Sequence, residues 1–212
     1  MLEKAPATAA IGAVTAFIGL ALILTGNVDY TAVYAGFIPA RFGGAEAGFL
    51  NDAGLLPAWL TPFSATLVHG GFTHLLFNMV MLLIVGKATE IAIGTRGILA
   101  LYLVGAVASV FAHWVIDPNS TQPMIGASGA VSAIVGAYAI LYGRQRTGAI
   151  GPFSPRLVQI AWLIGAWTAI NLLIGFLTAG TDSPIAAAAH VGGFIAGVVL
   201  VRPLLEWQWR EA

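Results

Sequence analysis

Residues 124–139 read "MIGASGAVSAIVGAYA". The run is apolar enough to enter a bilayer as a helix, and Ser128, Ser132 and Gly136 recur at i, i+4 and i+8, on one helix face. In a membrane such small residues let two helix backbones approach closely. The stripe is headed by a hydroxyl set between glycines, Gly126, Ser128 and Gly129, in the order G-x-S-G. Ser128 is therefore either packing filler or a nucleophile held at membrane depth, and the rest of the chain has to decide between them.

The composition settles the solvent. Of 212 residues, 58% are hydrophobic and 8% are charged, with a mean hydropathy of +0.89. A soluble domain carries about a quarter charged residues. The chain reads as an integral membrane protein, and its length fits one domain over residues 1–212. Nine basic and nine acidic residues leave no net charge, which speaks against a nucleic-acid partner. With no cysteine, disulfides and thiolate chemistry are excluded.

A bilayer core about 30 Å thick takes about 20 apolar helical residues. Six stretches qualify, at about residues 7–25, 66–85, 97–116, 124–142, 157–178 and 185–205. The first runs long for a secretory signal and no small-x-small cleavage site follows it, so it reads as a retained span. Lys4, Lys87, Arg96, Arg144, Arg146, Arg156, Arg202 and Arg210 fall on one side of this six-span path, and Arg41 alone on the other. The positive-inside rule then places both termini in the cytoplasm and the long first loop, about residues 26–65, outside. That loop is rich in Gly, Pro, Phe and Trp, and reads as an interfacial segment.

Polar residues inside spans are costly and are functional candidates by default. Span two carries "HGGFTHLLFN", with His69, His74 and Asn78; span six opens with "AAAAHVGGFIAG", with His190. At a rise of about 1.5 Å per residue, Ser128, His190 and His74 fall in one layer towards the outer side. His74 and Asn78 share a helix face, and His190, Gly193 and Gly197 form a second small-residue stripe. Two such stripes pack backbone against backbone, which would bring His190 towards Ser128. A serine needs a base within about 2.6–3.2 Å to become a nucleophile. The Asn78 amide, a His74 ring N–H and the free N–H groups at the start of span four are candidate donors to an oxyanion. No carboxylate is evident as a third member, so a Ser–His dyad is the simplest set.

"HGGFTHLLFN" is H-x4-H-x3-N, "GASG" is G-x-S-G and "AHVGGFIAG" is A-H-x-G-G-x3-G. In this order, on spans two, four and six, they resemble the rhomboid intramembrane serine proteases. The resemblance implies an all-α, six-helix bundle with the site open to the outside, in a bacterial cytoplasmic (inner) membrane. It implies Ser128 as nucleophile, His190 as general base, and His74 and Asn78 with the Ser128 N–H around the oxyanion. His69, Gly126, Gly129, Ser132, Gly193 and Gly197 are supporting positions. The implied partners are membrane lipids and substrate proteins cut in or near their transmembrane helices; no cofactor or metal is expected. Span five and "FLTAGTDSPIAA" before span six would form a lateral gate and cap. Two family features are missing. No arginine follows Trp59, and Ser132 stands where some members have a tyrosine packed on the histidine. Ser132 thus either bonds His190 or only completes the small-residue stripe.

Other polar residues read as structural. His113 beside Trp114 is an interfacial anchor, Asn171 an interhelical hydrogen bond, and Lys87 and Glu90 are charges at the cytoplasmic end. As extrapolated along one helix, His69 and His74 face apart by about 140°, which argues against a metal site. Two other functions fit a polyhelical membrane protein. One is a non-catalytic relative that binds or escorts transmembrane helices. The other is a transporter with a histidine proton relay, which the lack of a buried carboxylate disfavours.

Overall fold

The computed structural model describes residues 4–43, 47–144, 147–178 and 186–210. Arg146, Asp182 and most of the expected cap before span six lie outside the described residues. Among those residues the protein is helical, with two isolated β-bridges and no strand. Its helices are α1 (Pro6–Leu24), α2 (Val28–Ala35), α3 (Ala47–Asp52), α4 (Thr61–Ser64), α5 (Phe72–Met81), α6 (Lys87–Ile116), α7 (Ser128–Tyr142), α8 (Pro155–Thr178) and α9 (Ala187–Gln208).

Among the described residues, four helical stretches are long and apolar enough to cross a membrane: Pro6–Leu24, Phe72–Ile116, Pro155–Thr178 and Ala187–Gln208. The second is 45 residues long because a π-helical turn, Leu82–Gly86, joins α5 to α6 without a loop. The sequence predicts a connection between spans two and three here, and one residue provides the reversal. Gly94 has φ 75° and ψ 167°, outside helical geometry and in a region that favours glycine. The second limb then returns towards the level of the first. His74 on the first and Ser109 on the second both meet the same short segment, at Gly126 and Gly129 respectively.

Glu90, expected as an end charge, is 2% exposed, so the buried carboxylate that the sequence reading found lacking is present, bound to Ala7, Thr8 and Thr95 rather than to a histidine. Its carboxylate accepts from the Ala7 and Thr8 N–H groups at 2.9 and 2.7 Å, from the Thr8 hydroxyl at 2.7 Å and from the Thr95 hydroxyl at 3.0 Å. The first two N–H groups inside α1, which follow Pro6 and have no helical partner, are thereby satisfied, by a carboxylate at the positive end of a helix. The same carboxylate pins α1 to the reversal at Gly94.

The first loop folds into α2, α3, α4 and short 3₁₀ turns, with Phe37, Ile38 and Ala40 buried. Arg41 is buried as its staple. It donates to Asn51 Oδ1 at 3.0 Å and to the Leu56 carbonyl at 2.8 Å. Tyr30, Phe49 and Trp59 project outward. Two bonds between Phe37 and Met124, at 3.0 and 2.8 Å, seat the loop on the segment that leads into α7.

That seat shortens span four. Residues 124–127 are held as a connection, and the helix starts at Ser128 rather than at Met124. The physical reason is Gly126, at φ 113°, whose N–H is spent on the Ala65 carbonyl at 2.9 Å. The resulting α7 has 15 residues. It is the centre of the fold, buried along Gly129–Ile134 and again at Gly136 and Ala137, and it packs between α6 and α9. Helix α8 lies at the edge: of its 24 residues only Asn171 is buried.

Candidate active site

The site grows from the contact of α7 with α9. A Cβ on Gly136 would strike the Phe194 carbonyl, one on Gly193 the Gly129 carbonyl, and one on Gly197 the Ala133 carbonyl. The two helices touch backbone to backbone, and both stripes predicted from spacing lie in the seam. On its far side Gly129 lies against Ser109 of α6, so α7 is gripped on two faces. Ser128 and His190 head the two stripes, and the seam sets His190 Nε2 2.7 Å from Ser128 Oγ.

Ser128 is the first residue of α7. The first helical bond in this turn is Val131 N–H to the Ala127 carbonyl, at 2.9 Å. The N–H groups of Ser128, Gly129 and Ala130 precede that bond, in the part of a helix where donors lack internal partners. An anion developing beside Ser128 would meet the positive end of the helix.

His74 lies on the other side of Ser128. A Cβ built on Gly126 would stand 2.7 Å from His74 Nε2 and 3.8 Å from Ser128 Oγ. Gly126 is therefore the gap through which the ring faces the serine. The Gly70 N–H donates to His74 Nδ1 at 3.3 Å, so in the neutral ring the proton sits on Nε2, the nitrogen turned towards that gap. Asn78 is buried one turn further along, and its Nδ2 donates to the His74 carbonyl at 2.9 Å. Its recorded contact is thus with the backbone of His74, and one amide hydrogen remains for another acceptor.

His69 departs from the sequence reading. Helix α5 begins at Phe72, after Gly71 at φ 140°, so His69 belongs to the connection before it. The helical extrapolation that separated His69 from His74 fails at Gly70–Gly71, and the two rings meet edge to face at 5.1 Å. His69 is fully buried and its Nε2 accepts from the Ala127 N–H at 3.4 Å. It braces Ala127, the residue before Ser128. Among the described residues no group of three His, Cys, Asp or Glu side chains is arranged to hold a metal ion.

Asn171 is the site residue that the sequence reading underrated. It does bond between helices, and its partner is His190: Oδ1 lies 2.7 Å from His190 Nδ1. Trp167, one turn earlier on α8, donates from Nε1 to the His190 carbonyl at 3.2 Å and stacks on Phe194 at 5.0 Å. Both ring nitrogens of His190 are therefore occupied, by Ser128 and Asn171, which leaves none for Ser132. The Ser132 side chain instead fills the seam, 3.4 Å from where a Gly193 Cβ would lie. The available signal was a polar residue inside an apolar helix, which must face the protein interior.

Residues 57–207 match the family model described as Rhomboid domain. The chain belongs to the rhomboid family. It is 27% identical over 215 residues to Rhomboid protease AarA of Providencia stuartii, covering 93% of this chain and 75% of that protein. It is 31% identical over 139 residues to Rhomboid protease GlpG of Pectobacterium atrosepticum, covering 65% and 46%. It is 30% identical over 138 residues to Rhomboid-related protein 2 of Mus musculus, covering 64% and 44%. The matched regions of the last two are less than half of those relatives' own length. Together with its apolar helices, these relatives make this rhomboid a multi-pass membrane protein.

Proposed function

We propose that this rhomboid is a serine endopeptidase that cuts transmembrane segments of other proteins through a Ser128–His190 dyad. The observation that carries the reading is the 2.7 Å contact of His190 Nε2 with Ser128 Oγ at the head of the glycine seam. That distance lies within the range in which a base takes a serine proton. In the proposed reaction Oγ attacks the scissile carbonyl as Nε2 accepts its proton. The carbonyl oxygen becomes an oxyanion beside the Ser128 N–H, His74 Nε2–H and Asn78. Such donors are worth a few kcal/mol each in typical sites. On collapse, His190 returns the proton to the leaving amine and an acyl-enzyme remains. Water, deprotonated by His190, then releases the second product.

The accompanying topology is six spans in a single domain, with both termini cytoplasmic and the dyad nearer the outer side of a bacterial inner membrane. Support comes from eight basic residues on one side of the path against Arg41 on the other. The substrate and lipid partners follow from family membership and from a dyad carried at the ends of apolar helices.

A fluorophosphonate probe tests the chemistry without a known substrate. Labelling at Ser128, lost in His190→Ala, is the expected result. Folded wild-type protein that resists the probe would favour the non-catalytic reading, in which the bundle only binds or escorts transmembrane helices.

A further inference from the structure

Asn171 raises a question that a two-residue mechanism leaves open: which nitrogen of His190 carries the proton. The geometry points to Asn171 as a positioning residue that locks His190 in the Nδ1–H form, and this rests on the protease reading above. Asn171 Nδ2 donates to the Trp167 carbonyl at 2.9 Å. A carbonyl only accepts, so the amide cannot be flipped without setting oxygen against oxygen. Oδ1 must then be the atom 2.7 Å from His190 Nδ1. An amide oxygen also only accepts, so Nδ1 carries the hydrogen. In the neutral ring Nε2 is left with a bare lone pair, aimed at Ser128 Oγ at 2.7 Å. The opposite tautomer would set two acceptors together at Nδ1 and leave the serine without a base. Asn171 thus does through a neutral amide what a carboxylate does in a triad.

The lock sits on the helix least embedded in the protein. Asn171 is the one buried residue of α8. In a lipid surround, helix contacts rest on packing and interhelical hydrogen bonds rather than on hydrophobic burial. The Asn171–His190 and Trp167–His190 bonds therefore both dock α8 and hold the base. When α8 moves outward the acceptor leaves Nδ1 with it, so the base is set only while α8 is docked.

The test is nitrogen-15 NMR of histidine-labelled, full-chain protein in micelles. The chain has four histidines, and His190 is assigned from His69, His74 and His113 variants. We expect His190 in the Nδ1–H form in wild type and in Asn171→Asp, whose carboxylate keeps an acceptor at Nδ1 once its second oxygen has turned away from the Trp167 carbonyl, and a mixture of forms in Asn171→Leu. In a transmembrane reporter assay Asn171→Leu should lower kcat about tenfold to a hundredfold with KM within about twofold, and Asn171→Asp should recover most of it. An Nε2–H ring in wild type overturns the lock, as does an Asn171→Leu protein with wild-type tautomer and kcat. If Asn171→Leu fails to fold, the wild-type and Asn171→Asp spectra decide alone. The tautomer is read without turnover. An Nδ1–H ring in a protein that cleaves nothing would refute the protease reading and not the lock.

Discussion

His190 is held by two neighbours in opposite ways. Against α7, helix α9 packs through glycines at positions 136, 193 and 197 whose missing side chains admit a backbone carbonyl. Against α8, the same helix is held by two hydrogen bonds and one stacked ring pair. The first contact is steric and has one solution, because a close-packed seam cannot slide without collision. The second is polar, at the edge of the bundle, and can be broken and remade. The separation of His190 and Ser128 is thus fixed by shape, and the proposed tautomer of His190 is set by a bond.

The largest effect should come from the groups that the seam brings together. Ser128→Ala or His190→Ala is expected to lower kcat at least about a thousandfold while leaving the thermal unfolding of the micellar protein little changed. Comparable losses from both variants would sharpen the seam's role in pairing them. Substantial turnover in either would break it.

Next comes the seam itself. Gly136→Leu drives a side chain into the Phe194 carbonyl, so α9 must move away from α7. Misplacing a reacting group by about 1 Å can cost about a hundredfold, and overpacking costs about 1–3 kcal/mol of stability. Both losses should appear together, in kcat and in unfolding temperature. Full activity would mean that the stripe is not what sets the distance.

How much of this was legible in the sequence follows the same division. Small residues at intervals of three and four mark a helix seam by themselves, so the Ser128–Ser132–Gly136 and His190–Gly193–Gly197 faces could be paired before any coordinates. The rotation of α8 about α9 has no such signature. Asn171 could be assigned to the protein interior, and nothing in its spacing named His190 as its partner. Extrapolation also failed where glycine breaks a helix. Gly70–Gly71 put His69 beside His74, and Gly126 moved the start of α7 to Ser128. Glu90 was misjudged because its partners, Ala7 and Thr8, are 83 and 82 residues away.

Smaller effects probe the polar side. Trp167→Phe removes the donor to the His190 carbonyl and retains an aromatic ring for the stack on Phe194. A single neutral hydrogen bond contributes about 0.5–1.5 kcal/mol, so kcat should fall by only about two- to tenfold. A loss as large as that of Gly136→Leu would show α8 to be as rigidly required as α7. Smallest of all is Ser132→Ala. With both His190 nitrogens already occupied, removing this hydroxyl should leave kcat within about twofold, the scale of a conservative change that keeps the seam small. A tenfold fall would assign Ser132 a bond to the base that competes with Asn171.

The account stands on Ser128 as a nucleophile activated by His190. The most direct measurement reconstitutes the full chain in liposomes with a reporter protein that carries a labile transmembrane helix, and quantifies cleavage by mass spectrometry. Wild type should cut the reporter within or next to that helix, and folded Ser128→Ala should leave it intact. Equal cleavage by Ser128→Ala and wild type would contradict the account.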